Sequence, residues 1–404
     1  MSILPAPRFL DNKTPPHIFT LIMLTGLAAL VMNIYLPSLP GMTEYFNTDY
    51  RLMQLSVALY LGANVPFQIL VGPISDMFGR RPMMLAGMGV FILATFGCVL
   101  ATNVWVFLMF RMIQATVVVA MVLSRAVVRD MVPDSRAASM IGYVTMGMAV
   151  VPMIGPAMGG FLDEAFGWKA SFYALIVLGI AITLLAYFDL GETAPHSKHG
   201  LRRQFREYPA LLASPRFWGY SFSAALCSGA FFSYLGGAPF VGERIFGMTP
   251  AELGIYFGSP AIGYFVGNYI SGRASVRIGI NSMVFYGTVI NATGIGINLT
   301  LFNIGMGSPL VFFGLMTFVG IGNGMVIPNA TAGALSVRPR LAGSAAGLIG
   351  ALMIGGGASL SAYAGILLNP ETGVQMLLTL MLATGLLAIA TILLVMLRER
   401  QIKN

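Results

Sequence analysis

Long apolar stretches separated by short polar joints run along the whole chain. A bilayer core about 30 Å thick needs about 20 mostly apolar residues per helix, and these stretches reach that length. They are too long and too continuously apolar for the alternating strands of a membrane barrel. The pattern predicts an all-α membrane protein with twelve transmembrane helices, near 18–38, 51–75, 82–101, 105–129, 137–162, 168–188, 216–240, 250–272, 280–302, 308–332, 342–367 and 373–397.

Composition agrees with that pattern, because 57% of the residues are hydrophobic and only 9% are charged. A soluble domain has about 25% charged residues, so a soluble enzyme is excluded. The net charge of +8 reflects topology rather than a nucleic-acid partner: 19 of the 23 Lys and Arg residues lie in loops, termini or span ends on the side of the termini. By the positive-inside rule both termini are expected in the cytoplasm and the chain in the cell (inner) membrane.

One interior stretch, 189–215, is polar and rich in basic residues, and it divides the spans six to six. We therefore predict an N-terminal six-helix half at 1–188, a cytoplasmic linker at 189–215 and a C-terminal six-helix half at 216–404. Such charged runs are typical of solvated linkers, and a regulatory site is the alternative. No metal site or disulfide is indicated, because the residues concerned lack partners: His196, His199, Cys98 and Cys227.

The two halves repeat at an offset of 200 residues. Gly72 and Gly79 correspond to Gly272 and Gly279, and one polar stripe corresponds to another: Tyr60, Asn64 and Gln68 to Pro260, Tyr264 and Asn268. An even number of spans in each half implies a pseudo-twofold axis along the membrane normal, with a cavity between the halves that suits alternating access.

The joint after the second span reads GPISDMFGRRP, with Gly72, Asp76, Gly79, Arg80 and Arg81 at the spacing G-x-x-x-D-x-x-G-R-R. This resembles the signature loop of the major facilitator superfamily, although Met77 stands where the family usually has a basic residue. The resemblance covers essentially the whole chain, and it implies the major facilitator fold and a latch between the halves on the cytoplasmic side. A simple basic turn is the alternative.

The fifth span contains VPMIGPAMGGF, which is similar to the motif of the superfamily's antiporters. Its Gly155 and Gly159 form a small-residue surface that lets a neighbouring helix approach, Pro156 bends the backbone, and Gly160 follows. The resemblance implies export, whereas packing without any bearing on direction is the alternative.

The fourth span carries Arg111 and Gln114, similar to the R-x-x-Q-G element of drug/proton antiporters, with Ala115 in place of the glycine. An arginine inside a span is costly unless it faces protein or water, so it is a functional hypothesis by default, and a tie to backbone carbonyls is the alternative. Together with VMNIYLPSLP and SRAVVRDMV, this element most resembles the bicyclomycin- and chloramphenicol-resistance exporters.

Members of that group commonly carry an aspartate where this chain has Asn33, and no Asp or Glu lies centrally in any predicted span. Because an amide cannot titrate, three accounts of coupling stay open. An acid at a helix end, Asp76 or Asp130, takes up the proton; the protein is a facilitator; or Arg111 pairs with an anionic substrate.

A wide, weakly specific site uses aromatic, Met and amide side chains. The candidates for substrate binding are Asn33, Tyr60, Asn64, Gln68, Arg111, Gln114, Phe231, Phe232, Tyr234, Tyr264 and Asn268.

We expect a monomeric exporter of small amphipathic drugs that works by proton-coupled antiport, with no cofactor besides the proton gradient. The alternative is a facilitator or carrier of a small anionic metabolite or chelator that Arg111 anchors. A sensor or membrane-embedded enzyme is disfavoured, because no catalytic constellation lies within a span.

Overall fold

A computed structural model describes residues 7–132, 154–193, 211–338, 342–369 and 373–403, together with Met140, Val144, Val151, Pro209 and Glu371. These residues form helices joined by short connections, with no strand among them. The helices are α1 (Ile18–Asn33), α2 (Leu39–Tyr45), α3 (Tyr50–Phe78), α4 (Arg80–Leu100), α5 (Val104–Gln114), α6 (Val118–Met131), α7 (154–166), α8 (Lys169–Asp189), α9 (Pro215–Phe240), α10 (Pro250–Phe257), α11 (Ser259–Ile278), α12 (Ile280–Asn303), α13 (Pro309–Ser336), α14 (Ala342–Leu367) and α15 (Gly373–Lys403).

Ten helical segments within the described ranges are long and apolar enough to cross a membrane. The all-α membrane architecture is thereby confirmed, whereas the count of twelve stays a prediction. The predicted fifth span, 137–162, lies largely outside the described residues, and most of the predicted linker at 189–215 does as well.

The sequence predicts the eighth span as one helix over 250–272, whereas the structure has two helices there. The span consists of α10 and α11, which meet at Gly258, and α11 continues to Ile278. Pro260 occupies the first turn of α11, where its missing N–H leaves no hydrogen bond of the helix unmade. The first span also differs: its α-helix ends at Asn33, and a 3₁₀ turn at Leu36–Ser38 leads into α2, so the span does not end at 38.

Helices α1 to α8, here called the N-half, pack against one another, and so do α9 to α15, the C-half; in addition, α3 of the N-half packs extensively along α14 of the C-half. The chain termini mark one end of this bundle. The backbone N–H of Leu10 donates to the carboxylate of Asp189 at the end of α8 (2.7 Å), and Glu399 near the end of α15 pairs with Arg216 at the start of α9. We call this the terminal end, and the other the far end.

The turns that end α3 and α11 have the same geometry, 200 residues apart. Gly79 has φ 99° and ψ 151°, and Gly279 has φ 88° and ψ 153°. Each glycine N–H donates to the carbonyl of the serine four residues earlier, Ser75 or Ser275, at 2.9 Å. Side chains are strongly disfavoured at this φ and ψ, so glycine is required at both turns.

The two turns differ in their surroundings. A Cβ at Gly79 would overlap the carboxylate of Glu192, whereas a Cβ at Gly279 would meet no atom within 4 Å. The Glu192 carboxylate accepts hydrogen bonds from the backbone N–H groups of Arg80 (2.8 Å) and Arg81 (3.2 Å). Only the first turn is thus tied to the segment that follows α8.

The turns provide a matched pair of substitutions. We expect Gly79→Ala and Gly279→Ala each to lower the free energy of unfolding by about 1–3 kcal/mol, because alanine is strained at this φ and ψ. Gly79→Ala should lower the free energy of unfolding by about 1–3 kcal/mol more, because its Cβ displaces the Glu192 carboxylate and breaks the hydrogen bonds that this carboxylate accepts. Melting curves of the purified protein check the order, and equal shifts in melting temperature would contradict it.

Candidate functional site

Arg111 lies in the last turn of α5, inside the N-half, and is 0% exposed. Asn103 caps the start of α5 by accepting a hydrogen bond from the N–H of Val106 at 3.0 Å. The helix tightens into a 3₁₀ turn at Ala115, directly after Gln114. Local structure therefore fixes both ends of the short helix that carries the arginine.

The guanidinium of Arg111 is enclosed by acceptors and aromatic faces. One Nη donates to the carbonyl oxygen of Val31 at 3.0 Å, and the other donates to the side-chain oxygen of Gln114. Its Cζ lies 4.2 Å from the ring centroid of Tyr35 and 4.1 Å from that of Tyr60. Cation–π contacts shielded from water contribute about 2 kcal/mol or more each, so two rings offset much of the cost of burying the charge.

Gln114 extends this network to α4. Its side-chain N–H donates to the hydroxyl of Thr95 at 2.9 Å, and Thr95 donates to the carbonyl of Phe91 at 2.7 Å. Sequence reasoning missed Tyr35 and Thr95. Thr95 is the one hydroxyl within the apolar run 82–101, which is the signal that could have identified it.

No carboxylate pairs with Arg111 in the part of the chain that the structure describes, where the four ion pairs all involve other cations. The amide N–H of Asn33 donates to the Ala29 carbonyl at 2.7 Å. The side-chain oxygen of Asn33 and the Nε of Arg111 are buried and have no hydrogen-bond partner among the described residues. The charge is therefore balanced by dipoles and aromatic rings, and the guanidinium is shielded from solvent in this conformation.

The other candidate residues divide between the halves. Asn64 is buried and donates to the Tyr60 carbonyl at 2.6 Å, and Gln68 is half-buried and faces Gly350 of α14. In α11, Asn268 donates to the Tyr264 carbonyl at 2.8 Å, and both residues are half-buried.

The aromatic candidates lie together on α9. Tyr234 is 0% exposed and donates its hydroxyl to the Phe257 carbonyl at 3.1 Å. Phe231 is half-buried and stacks on the Tyr234 ring with centroids 6.4 Å apart, while Phe232 is buried. This group is part of the C-half, so the structure does not join it to Arg111 in one contact network.

The glycines of the fifth span bring backbones close together. A Cβ at Gly159 would overlap the Ile34 carbonyl, and Gly155 faces Leu30, so both pack against the first span. A Cβ at Gly160 would instead overlap the Pro250 carbonyl of α10, in the C-half. Part of this motif therefore forms the contact between the halves.

The C-half supplies the reciprocal glycine, because a Cβ at Gly254 of α10 would overlap the carbonyl oxygen of Pro156. This backbone-to-backbone contact joins α7 and α10 at the far end.

Further contacts between the halves also gather at the far end. Arg244 pairs with Glu44 at 2.9 Å, both well exposed, and Tyr50 donates its hydroxyl to the Gly236 carbonyl at 2.9 Å. Gln54, near the start of α3, donates to the Ser361 carbonyl of α14. The far end is closed by small residues, backbone acceptors and one exposed ion pair.

The signature loop at the terminal end forms a network within the N-half. Arg80 pairs with Asp76 at 2.6 Å and with Asp130 at 3.1 Å, and it donates to the Ser75 hydroxyl. Arg81 donates to the Tyr187 carbonyl at 2.9 Å. Within the described ranges, the side chains of both arginines contact the N-half, so the loop braces this half in the present conformation.

Replacing Arg111 tests how much its buried guanidinium contributes to the stability of the protein. We expect Arg111→Ala to lower the melting temperature of the substrate-free protein, because Gln114 and Val31 each lose a buried donor at about 1–3 kcal/mol apiece. Arg129→Ala is the control, since Arg129 is exposed on the neighbouring α6. Equal melting temperatures for both variants would show that the enclosure adds nothing to stability.

Comparisons with known proteins agree with this architecture. The multidrug resistance protein D of Escherichia coli is 29% identical over 91% of this chain and 93% of its own length. A chloramphenicol resistance protein of Pseudomonas aeruginosa is 30% identical over 79% of this chain and 76% of its own length. A bacterial homologue of the human lysosomal transporter Spinster, solved in an inward-facing and occupied conformation, superposes with a TM-score of 0.71 at 17% identity over 95% of this chain and 96% of that one.

The model of the Major Facilitator Superfamily matches residues 21–362. The chain is thus a multi-pass membrane transporter and not an enzyme, and it belongs to the major facilitator superfamily.

Proposed function

We propose that this transporter exports small amphipathic drugs by alternating access, driven by proton antiport. The observation that carries the proposal is the closed far end, where Gly160 of one half lies against Pro250 of the other. Relatives that carry the names of multidrug and chloramphenicol resistance over most of their length support the same substrate class.

Alternating access requires a closure that can separate at low cost. At the far end, glycines let the backbones approach without a buried ion pair, and the exposed ion pair Glu44–Arg244 contributes only about 0.2–1 kcal/mol. The N-half, by contrast, is held by the buried network around Arg111. Two helical halves that meet at the far end and along α3 and α14 suit a rocking motion of one half against the other.

The enclosure of Arg111 favours neutral or weakly polar substrates over anionic ones. Its guanidinium is 0% exposed and its acceptors come from the protein, so an anion would have to displace Gln114 or the Val31 carbonyl. The half-buried aromatic and amide side chains, Phe231, Tyr264 and Asn268, supply the adaptable surface that varied apolar ligands need.

For coupling, we propose the carboxylates Asp76 and Asp130, which both hold Arg80. Protonation of either one weakens an ion pair that braces the terminal end, and this links proton uptake to the mobility of the signature loop. The distribution of basic residues supports cytoplasmic termini, which would put this protonation on the cytoplasmic side of the inner membrane. We further propose that the protein acts as a monomer and without a cofactor.

Transport by the purified protein in proteoliposomes tests the proposal. With an imposed pH gradient we expect labelled chloramphenicol to accumulate above its equilibrium level, and without the gradient only to equilibrate. Asp130→Asn should retain equilibration and lose accumulation, whereas Glu371→Gln, at an exposed acid in a far-end loop, should behave as the unmodified protein.

Two outcomes would contradict parts of this proposal. Equilibration that never becomes accumulation identifies a facilitator and removes the proton antiport. Uptake of a small organic anion in place of chloramphenicol, abolished by Arg111→Ala, identifies the anion carrier.

A further inference from the structure

A cleft of about 590 Å³ lies between the start of α9 and the end of α15, at the terminal end of the C-half. Its lining is mostly apolar and includes Trp218, Phe222, Leu394 and Val395. Two helix ends of a membrane protein meet here, at the depth where lipid headgroups lie. The cleft is separate from the contact between the halves and from the Arg111 network.

One wall of the cleft is a fixed aromatic surface. The indole N–H of Trp218 donates to the Leu212 carbonyl at 2.8 Å, which sets the orientation of the ring. Phe222 stacks on it with centroids 5.3 Å apart and an interplanar angle of 23°. Phe222 is 44% exposed and Leu394 is 65% exposed, so the apolar surface is open to the surrounding lipid.

Two arginines, Arg216 and Arg398, also line this cleft. Arg216 pairs with Glu399, which is held in turn by the Asn281 amide at 2.6 Å and the Tyr220 hydroxyl at 3.2 Å. Arg398 is exposed and takes part in none of the ion pairs found within the described ranges. The Arg216–Glu399 pair is neutral, so Arg398 gives the lining a net positive charge.

We propose that this cleft binds one anionic phospholipid from the leaflet at the terminal end. The phosphate lies at Arg398 with Arg216 beside it, and an acyl chain lies along Trp218, Phe222 and Leu394. A basic pocket between transmembrane helices is the arrangement that recognises anionic headgroups, and the arginine fork suits phosphate oxygens. The net charge of the lining selects against zwitterionic lipid, and the apolar wall selects against a headgroup without chains.

Lipid titration of the full chain tests this inference without reference to transport. Delipidated protein in detergent is titrated with phosphatidylglycerol or phosphatidylcholine, and its melting temperature is measured. We expect a saturable rise with phosphatidylglycerol at a lower concentration than with phosphatidylcholine. Since one surface arginine accounts for about a fivefold change in affinity for anionic lipid, Arg398→Gln should shift the phosphatidylglycerol midpoint about fivefold higher.

The matched control is Arg277→Gln, because Arg277 is an exposed arginine at the terminal end that does not line the cleft. Its midpoint should stay unchanged. Leu394→Trp fills the cleft without changing charge and should also weaken the effect of phosphatidylglycerol, which keeps the test open if one variant folds poorly.

Three results would overturn the proposal. Phosphatidylcholine could stabilise the protein as well as phosphatidylglycerol does, glycerol phosphate without acyl chains could give the same rise, or Arg398→Gln could match Arg277→Gln. The first outcome means a contact with bulk lipid, the second a phosphate site, and the third a site elsewhere.

Discussion

Hydrocarbon offers no hydrogen-bond partner, so each polar group within the membrane must be satisfied by the chain itself. Arg111 is the clearest case, because its charge is fully buried and no carboxylate among the described residues pairs with it. Two tyrosine faces, a carbonyl and an amide take the place of a counter-ion. They come from the first, second and fourth spans, so this one cation joins three helices of the N-half.

The same constraint shapes the contact between the halves, but here the polar backbone groups are packed against glycines instead of a buried charge. At the far end, backbone carbonyls approach glycines, as at Gly160 with Pro250 and Gly254 with Pro156. Such contacts need no charged group inside the membrane, and the one ion pair there, Glu44–Arg244, is exposed. A polar network inside one half and contacts between the halves without a buried ion pair are consistent with the proposed rocking motion.

Much of this architecture could be read from local sequence. Hydrophobic length located ten of the spans, and the sequence repeat paired Gly79 with Gly279, which the structure shows in turns of the same backbone geometry. The break at Gly258 was missed, because proline near a helix start and proline inside a helix look alike until the packing is known.

The surroundings of the candidate site were harder to predict. That Arg111 is costly in a membrane followed from its position alone, but its enclosure by Tyr35 depends on how the first and fourth spans pack. The hydrogen bond between the Glu192 carboxylate and the signature loop is equally non-local, because Glu192 lies 112 positions from Arg80. Contacts between distant segments carry no periodic signal in the sequence.

The claim that the halves rock about a separable far end is tested most directly by distances at both ends. Spin labels at Met77→Cys and Arg277→Cys report on the terminal end, and labels at Asp49→Cys and Met306→Cys on the far end. All four sites are exposed, while both native cysteines are buried and stay unlabelled.

With substrate and a change of pH, a rocking transporter shortens the distance at the terminal end as it lengthens the distance at the far end. Distances that stay fixed at both ends while transport proceeds would contradict alternating access by rocking.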